Sequence, residues 1–517
     1  MSVPLHDPEA GVPVCLIRPP SQFPGSNMVA LLIPPLGLAY VGGALAAAGV
    51  GFAVIDSVGE APDERRPYDN DTNLFGLALE TVVDRIPQGV KIIGVSSSFS
   101  FDWPLCRTLV GMIRRRFPQA LLVAGGEHVT ALPEESLRTS ELDMLVLGEG
   151  EATFVELVER YLAGDRELAG IAGTLKKGPG GELVSTQRRL RLRQLDQLPR
   201  PAWDRFPLRA YLDRNLTYGV FRGRSMPILG SRGCPYQCAF CSSENMWTTR
   251  WEPRSPKDLL REIRDYQEEY DIQNFDFYDL TAIIKKRWIL EFCQEILDSG
   301  LKFTWQLPTG TRVEAFDAEV AAKLFASGCR NLAFSPESGS QRVLDRIMKR
   351  VDIEHLLQAI RDCEKIGINT KGNLVIGFPE ESRAEIRETI RYGLRMALAG
   401  AHDLTYWAFT PYPGSRLFRE LREQGLVTPD DAYFDSLRSY ADTQSTRSLN
   451  GKIGDRELRF YRRLGTLLFY LASWATHPSR PFRMVWNIVS GREESRSEMV
   501  IRRRLGLLGG GRQANRT

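Results

Sequence analysis

At 517 residues the chain is too long for one hydrophobic core, and about two or three domains are expected. A formal net charge of +3 implies no bulk polyanion partner, and 43% apolar residues is the content of an ordinary globular protein. Eight cysteines, five of them scattered singly, exclude a disulfide framework. The opening Met1-Ser2-Val3-Pro4-Leu5 has neither a basic nor an apolar signal segment, so a cytoplasmic protein is expected.

The first third alternates strand and helix signals. Strands are predicted at residues 14–18, 52–56, 91–96, 120–125 and 144–147, and helices at 36–48, 74–85 and 105–117. No charged residue stands between Arg18 and Asp56, but Pro34-Pro35 and several glycines interrupt that run. It reads as a buried helix and a buried parallel strand rather than a membrane span. The alternation predicts a doubly wound parallel sheet over residues 1–165, with ligands bound outside the carboxyl ends of its strands. Those ends carry Ser96-Ser97-Ser98, Gly125-Gly126 and Gly148-Glu149-Gly150-Glu151.

Residues 166–215 read as a linker, with a turn at Gly178-Pro179-Gly180-Gly181 and a basic run at 188–193 expected on a solvated face. From 216 to 430 the alternation resumes. Strands are predicted at 228–231, 275–278, 303–306, 332–335, 374–377 and 405–408, with helices at 256–269, 286–298, 318–326, 353–366 and 383–399. Six such units make a partial (β/α)6 barrel with its chemistry at the carboxyl ends of the strands. Residues 431–517 form a helical C-terminal extension, with nine arginines against three acids from Pro478 onward. Residues 464–475 are apolar but too short to cross a bilayer, and read as a docked helix ahead of a membrane-surface contact.

Cys234, Cys238 and Cys241 follow the first barrel strand at C-x3-C-x2-C spacing, with no fourth cysteine nearby. Three thiolates on one loop can hold three irons of a [4Fe–4S] cluster and leave the fourth open, whereas electron carriers are held by four cysteines. A structural zinc site, the competing reading, needs a fourth ligand from afar, such as Cys329 or a histidine. Tyr236 and Phe240 stand between the cysteines, where an aromatic can shield a cluster.

The loop resembles the signature of the radical S-adenosylmethionine (SAM) superfamily. The resemblance implies that SAM chelates the open iron and is cleaved to a 5′-deoxyadenosyl radical. It places Tyr278 and Asp279 where the SAM amino group binds, Glu337 and Ser338 in a segment that contacts SAM, Gly377 and Pro379 in a turn beside the adenine, and Tyr236 and Phe240 around the cluster. Tyr412-Pro413-Gly414-Ser415 ends the sixth strand.

Pro34 to Leu45, Gly125 to Thr130 and Gly148 to Phe154 resemble segments of cobalamin-binding domains fused to such barrels. The chain thus resembles the cobalamin-dependent radical SAM class: a Rossmann-like cobalamin-binding domain, the barrel and the helical extension. Gly125, Gly126, Gly148 and Glu149 would then approach the corrin, and Ser96, Ser97 and Thr130 would hydrogen-bond its amides or nucleotide tail. Asp56-Ser57-Val58-Gly59-Glu60-Ala61 departs from D-x-H-x-x-G by placing valine where a cobalt-ligating histidine would stand, and His128 reads as a polar loop residue. The class implies methylation of an unactivated carbon of a small-molecule biosynthetic intermediate via methylcobalamin and the deoxyadenosyl radical. The alternative, with the same cofactors, is oxidative cyclisation or ring rearrangement. An external flavodoxin- or ferredoxin-type reductant is implied, and nucleic acid is not. Trp305, Gln306, Arg312, Tyr406, Trp407 and Tyr412 are candidates for the barrel mouth, with core burial an equal reading for the aromatics.

Overall fold

The computed structural model describes residues 11–24, 32–69, 72–440 and 446–505. The start of the chain, residues 28–31 of the apolar run and the basic end at 506–517 lie outside the described residues.

Five strands, β1 (Val14–Arg18), β2 (Phe52–Asp56), β3 (Ile92–Ser96), β4 (Leu121–Gly125) and β5 (Met144–Val146), run parallel in the order β5-β4-β3-β1-β2. The order reverses at β1, so a crevice opens at the carboxyl ends of β1 and β3. The helix Leu36–Ala47 is apolar because it is buried nearly all round. Residues 200–202 cross it so closely that a side chain at Gly43 would strike the Arg200 carbonyl. Among the described residues no helix is long and apolar enough to cross a membrane.

Two predicted segments differ. Residues 74–85 were expected as one helix. Instead Thr72–Phe75 pairs with Ser21–Pro24 and Arg65–Pro67 in a small antiparallel sheet, and the helix is Leu79–Asp84. Buried Thr72 and Leu74 alternate with half-buried Asn73 and Phe75, the period of a strand, and Gly76 at φ +105° turns the chain between the two elements. The expected linker also carries structure: β6 (Thr174–Lys177) and β7 (Leu183–Ser185) extend the first sheet antiparallel beyond β5. The helix Leu208–Asp213 sets the Tyr211 hydroxyl on the Asp56 carboxylate at 2.7 Å.

The barrel strands are β8 (Ser225–Ile228), β9 (Asn274–Phe277), β10 (Thr304–Thr311), β11 (Cys329–Glu337), β12 (Asn369–Ile376) and β13 (Asp403–Ala408). All are parallel and in chain order, with no pairing between β8 and β13, so the barrel is open. Its outer helices start where a side chain can take the free amides: Ser255, Asp317, Asp352 and Ser382 cap them, Ser382 in a box with Glu385. Gly300, Gly367 and Gly400 end three of them in the left-handed conformation.

The two faces of the first sheet join different cores. Val14, Leu16 and Val123 belong to a core continuous with the barrel, whereas Cys15, Ile17 and Leu122 share a second one with Phe378, Phe409 and Phe434. The helices Ser479–Ser490 and Arg496–Arg504 lie at the amino end of the barrel, while Asp455–Thr476 runs along β13 with Leu458 against Gly377 at the carboxyl end of β12. Asn331 and Asn369 donate to the Glu494 carbonyl at 3.0 and 2.9 Å, and Asp403 accepts from the Arg496 amide at 2.6 Å.

Candidate active site

Past β8 the chain enters Ser231–Arg232, which pairs antiparallel with Glu252–Pro253 and clips both ends of the cysteine loop together. Gly233, at φ +88°, lies against the Arg250 carbonyl, where no side chain fits. Asp279 accepts from the Gly230 amide at 2.9 Å and from the Ser231 hydroxyl, and burial pushes its carboxyl up to about 6. It holds the base of the loop, where the sequence had suggested a contact to the SAM amino group. Ala239 donates to the Ile347 carbonyl and accepts from the Leu417 amide, both at 2.8 Å, tying the loop to segments beyond β11 and β13.

Cys234 and Cys238 are half-buried and Cys241 is exposed. Burial pushes the Cys238 thiol up to about 11, against the pull of the Lys349 ammonium, so a metal must displace its proton. Tyr236 lies under the Arg312 guanidinium, 3.4 Å from the ring centroid, and Phe240 meets Phe378 at 5.9 Å. Both aromatics brace the loop. Cys329, the candidate fourth zinc ligand, is buried at the start of β11, at the far end of the barrel. Among the described residues no three His, Cys, Asp or Glu side chains converge as a single ion requires. A cluster spreads its thiolates over three irons, and three cysteines on one loop fit that demand.

A cavity of about 400 Å³ lies between the carboxyl ends of the first sheet and the barrel mouth. Ser96, Ser97, Gly125, Gly126, Gly148 and Glu149 line it from the sheet, and Arg232, Met246, Trp247 and Tyr278 from the barrel. Gly126, at φ +126°, sits against the Ser97 carbonyl, while Gly37 opens on empty space. Among the described residues the buried hydroxyls of Ser97 and Tyr278 have no hydrogen-bond partner. A glycine-walled slot with unpartnered hydroxyls fits a flat ring rimmed with amides, as a corrin is. Thr130 stands behind this wall: its hydroxyl accepts from the Gly148 amide at 3.1 Å. Val58 is buried in the core, and His128 is packed between Trp103 and Phe434 at 4.5 and 5.3 Å. Burial pushes the His128 imidazole down to about 3, so it stays neutral.

The remaining strand ends converge on the cysteine loop. Glu337, at φ +70°, meets Lys349 at 3.0 Å. Ser338 turns to the outer helix, 2.9 Å from the Thr389 hydroxyl. Gly377, at φ +87°, opens the turn that carries half-buried Pro379, and its amide and that of Phe378 donate to Glu381 Oε2 at 2.5 and 3.1 Å. Gly414 accepts from Asn245 at 2.8 Å, and Ser415 caps the helix Arg416–Glu423.

Burial pushes the Glu381 carboxyl up to about 8 from an ordinary value of 4.5. The folded chain therefore holds that proton more tightly than the unfolded chain. The stability this group allows is full below about pH 4.5 and falls as the pH rises toward 8. Glu381→Gln keeps an acceptor for both amides and removes the titration. Calorimetry should show its Tm above the parent's near pH ~9 and level with it near pH ~5. An equal gap at both values contradicts the assignment.

The mouth candidates divide. Trp305 and Tyr406 point outward into the helices, Trp305 against Phe277 and Phe292 and Tyr406 against Gly393 and Gly465. Gln306 is buried on Val220 and Asp276, and Arg312 is taken by Tyr236 and Glu314. Trp407 faces the lumen and donates to Asn373 at 3.2 Å, which donates to Ser335 at 3.2 Å. This polar row crosses β11, β12 and β13. Its signal in the sequence was the alternation of polar with non-polar residues in Lys371-Gly372-Asn373-Leu374.

A second set went unseen. Arg232, one residue before Gly233, reaches Glu149 at 3.2 Å and Glu151 at 2.6 Å, and lies over the rings of Tyr40 and Trp247. Glu149 is thereby spent on bridging the domains. The basic run at 188–193 is a solvated face only in part: Arg188, Leu190 and Arg193 are exposed, but Arg188 donates to the Asn245 carbonyl at 2.6 Å and Arg191 to those of Trp247 and Arg250. Asn245 and Trp247 lie in the short helix Ser243–Trp247, whose last carbonyls need donors from elsewhere. Those donors come from more than fifty positions away, beyond any local signal. Ser242 adds a bond to Glu127 of the first domain at 2.8 Å.

Comparison with known proteins agrees with this geometry. Residues 27–158 match the B12 binding domain family and residues 228–393 the Radical SAM superfamily. An uncharacterized methyltransferase of Pyrococcus horikoshii is 30% identical over 414 residues, 78% of this chain and 82% of that protein. The anaerobic magnesium-protoporphyrin IX monomethyl ester cyclase of Cereibacter sphaeroides is 28% identical over 78% of this chain and 63% of its own length. The radical SAM methyltransferase TsrM of Kitasatospora setae has a similar fold, with a TM-score of 0.62 at 19% identity over 80% of this chain and 76% of that one.

Proposed function

The chain belongs to the cobalamin-dependent radical SAM enzymes, and from that premise we propose that it methylates an unactivated carbon of a small-molecule biosynthetic intermediate. One observation carries the reading: the three-cysteine loop follows β8 at the carboxyl end of the barrel, and the glycine-walled cavity opens at that same end, where Arg232 and Tyr278 line it. When bound, SAM on the [4Fe–4S] cluster supplies hydrogen-atom abstraction, and cobalamin supplies a carrier for the methyl group. Cys234, Cys238 and Cys241 hold the cluster. Asp279 and the Ser231–Arg232 clip set the height of the loop. Ser335, Asn373 and Trp407 offer the acceptor hydrogen bonds inside the barrel, which orient its carbon and exclude water.

The electron comes from an external one-electron reductant of flavodoxin or ferredoxin type. Buried, unpaired Cys15, Cys106, Cys293, Cys329 and Cys363 fit a reducing cytoplasm. The likeness to a cyclase favours one second reading, in which the same cofactors close a ring and no methyl moves.

The two readings part on one product. Methylation by this route yields S-adenosylhomocysteine alongside 5′-deoxyadenosine, and cyclisation does not. With the acceptor, equal amounts of both and label from the SAM methyl in the product are expected. Deoxyadenosine without S-adenosylhomocysteine selects the cyclase-like reaction.

A further inference from the structure

The helix Ser479–Ser490 presents its apolar side to solvent. Phe482, Val485, Trp486 and Val489 share one stripe and are 61–77% exposed. The opposite side carries polar residues and is buried. Arg480 donates to the Gly400 and Ala401 carbonyls at 2.8 and 2.9 Å and meets Glu364 at 3.0 Å, and Asn487 donates to Glu498 at 2.9 Å. These contacts fix the rotation of the helix, so the fold itself holds the stripe outward. The adjoining helix Asp455–Thr476 carries a second stripe, Phe460, Leu467 and Leu471, each more than half exposed. Scattered exposed apolar residues are ordinary, but two such stripes on consecutive helices mark a covered surface.

Charge selects the cover. From Pro478 to the end there are nine arginines and three acids, 9 − 3 = +6. The acids are withdrawn: Glu493 and Glu498 are buried, Glu493 on Arg502, and Glu494 is paired with Arg483 at 3.0 Å. Arg480 and Arg502 are buried with them and Arg483 is spent on Glu494, so the charge near the stripe is that of exposed Arg492, to which the sequence after Glu498 adds Arg503, Arg504, Arg512 and Arg516 and no acid. A Phe/Trp/Val stripe among arginines, on a helix of 12 residues, is too short to span a bilayer and suited to lie flat in the headgroup region. We propose that this face docks on the surface of an anionic phospholipid bilayer. The helix Ser479–Ser490 lies at the amino end of the barrel, on the Gly400 and Ala401 carbonyls ahead of β13, away from the cysteine loop and the cavity.

Co-sedimentation of the full chain with phosphatidylcholine vesicles, with and without phosphatidylglycerol, tests this. Binding is expected to the anionic vesicles, to weaken with salt, and to fall at least ~10-fold in the double variant F482S/W486S. Both positions are exposed and remote from the cofactor site, so deoxyadenosine formation stays at the parent level. As a second readout, brominated lipid should quench the parent's fluorescence more than that of W486F. No binding to anionic vesicles at low salt overturns the proposal, as does equal binding by the double variant. A parent dimer that the double variant dissociates, without vesicle binding, also overturns it and assigns the face to a second copy of the chain.

Discussion

Replacing Arg232 by alanine should lower stability by about 3–5 kcal/mol, the cost of stranding buried charge. The guanidinium is 4% exposed and is shared by Glu149 and Glu151, each 11% exposed. Its removal leaves two neighbouring carboxylates in the domain interface with Arg191 as the remaining cation, at 3.5 Å from Glu149. It also removes the cation stacked between Tyr40 and Trp247, at 5.0 and 5.4 Å. R232M/E151Q, which removes charge from both sides, should recover most of the loss. Denaturant midpoints of the parent and the two variants measure this. A loss under about 1 kcal/mol, the scale of an exposed pair, would mean that Arg232 does not hold the domains together. Because Arg232 adjoins Gly233 and Cys234, iron retention should fall with the midpoint.

The largest functional effect is expected at Cys241. The thiol is exposed, and among the described residues its hydrogen-bond partner is the Ser243 hydroxyl at 3.3 Å. Cys241→Ser should therefore change stability by less than about 0.5 kcal/mol. Loss of a ligand to the cluster should exceed the ~10- to 100-fold effect of losing an outer-shell partner, so deoxyadenosine formation should drop by more than ~100-fold, with iron content. Cys329→Ser provides the contrast. That cysteine is buried at the opposite end of the barrel, and its loss should cost some stability and leave the iron per folded chain unchanged. Iron lost in both variants, or in neither, contradicts the three-cysteine assignment.

The sequence carried the parts whose cause is local. Buried parallel strands are apolar runs, and Val14–Arg18 and Phe52–Asp56 could be placed within a residue. Three cysteines on one loop are a local signal too. The sequence misled where two periods overlap, as at Thr72–Phe75, whose short alternation was absorbed into the neighbouring helix. It was silent where contacts are distant. Nothing near Arg232 announces Glu151, and nothing near Arg191 announces the carbonyls of Trp247 and Arg250. Asp279 and Ser338 show a further limit. Motif order placed them at the strand ends, but only the fold reveals that one carboxylate pins Gly230 and Ser231 and that one hydroxyl turns to Thr389. The outward stripe of Ser479–Ser490 was equally hidden, because amphipathicity gives two faces without saying which one the fold covers.

The central claim is that Cys234, Cys238 and Cys241 hold a cluster with one iron open to SAM, beside a cobalamin site. The most direct measurement is electron paramagnetic resonance of the reduced, anaerobically reconstituted protein with and without SAM. The expected result is a [4Fe–4S] signal whose shape changes when SAM is added and whose amplitude is lost in Cys241→Ser. A signal indifferent to SAM, or a preparation whose only metal is zinc bound by cysteines, would contradict it.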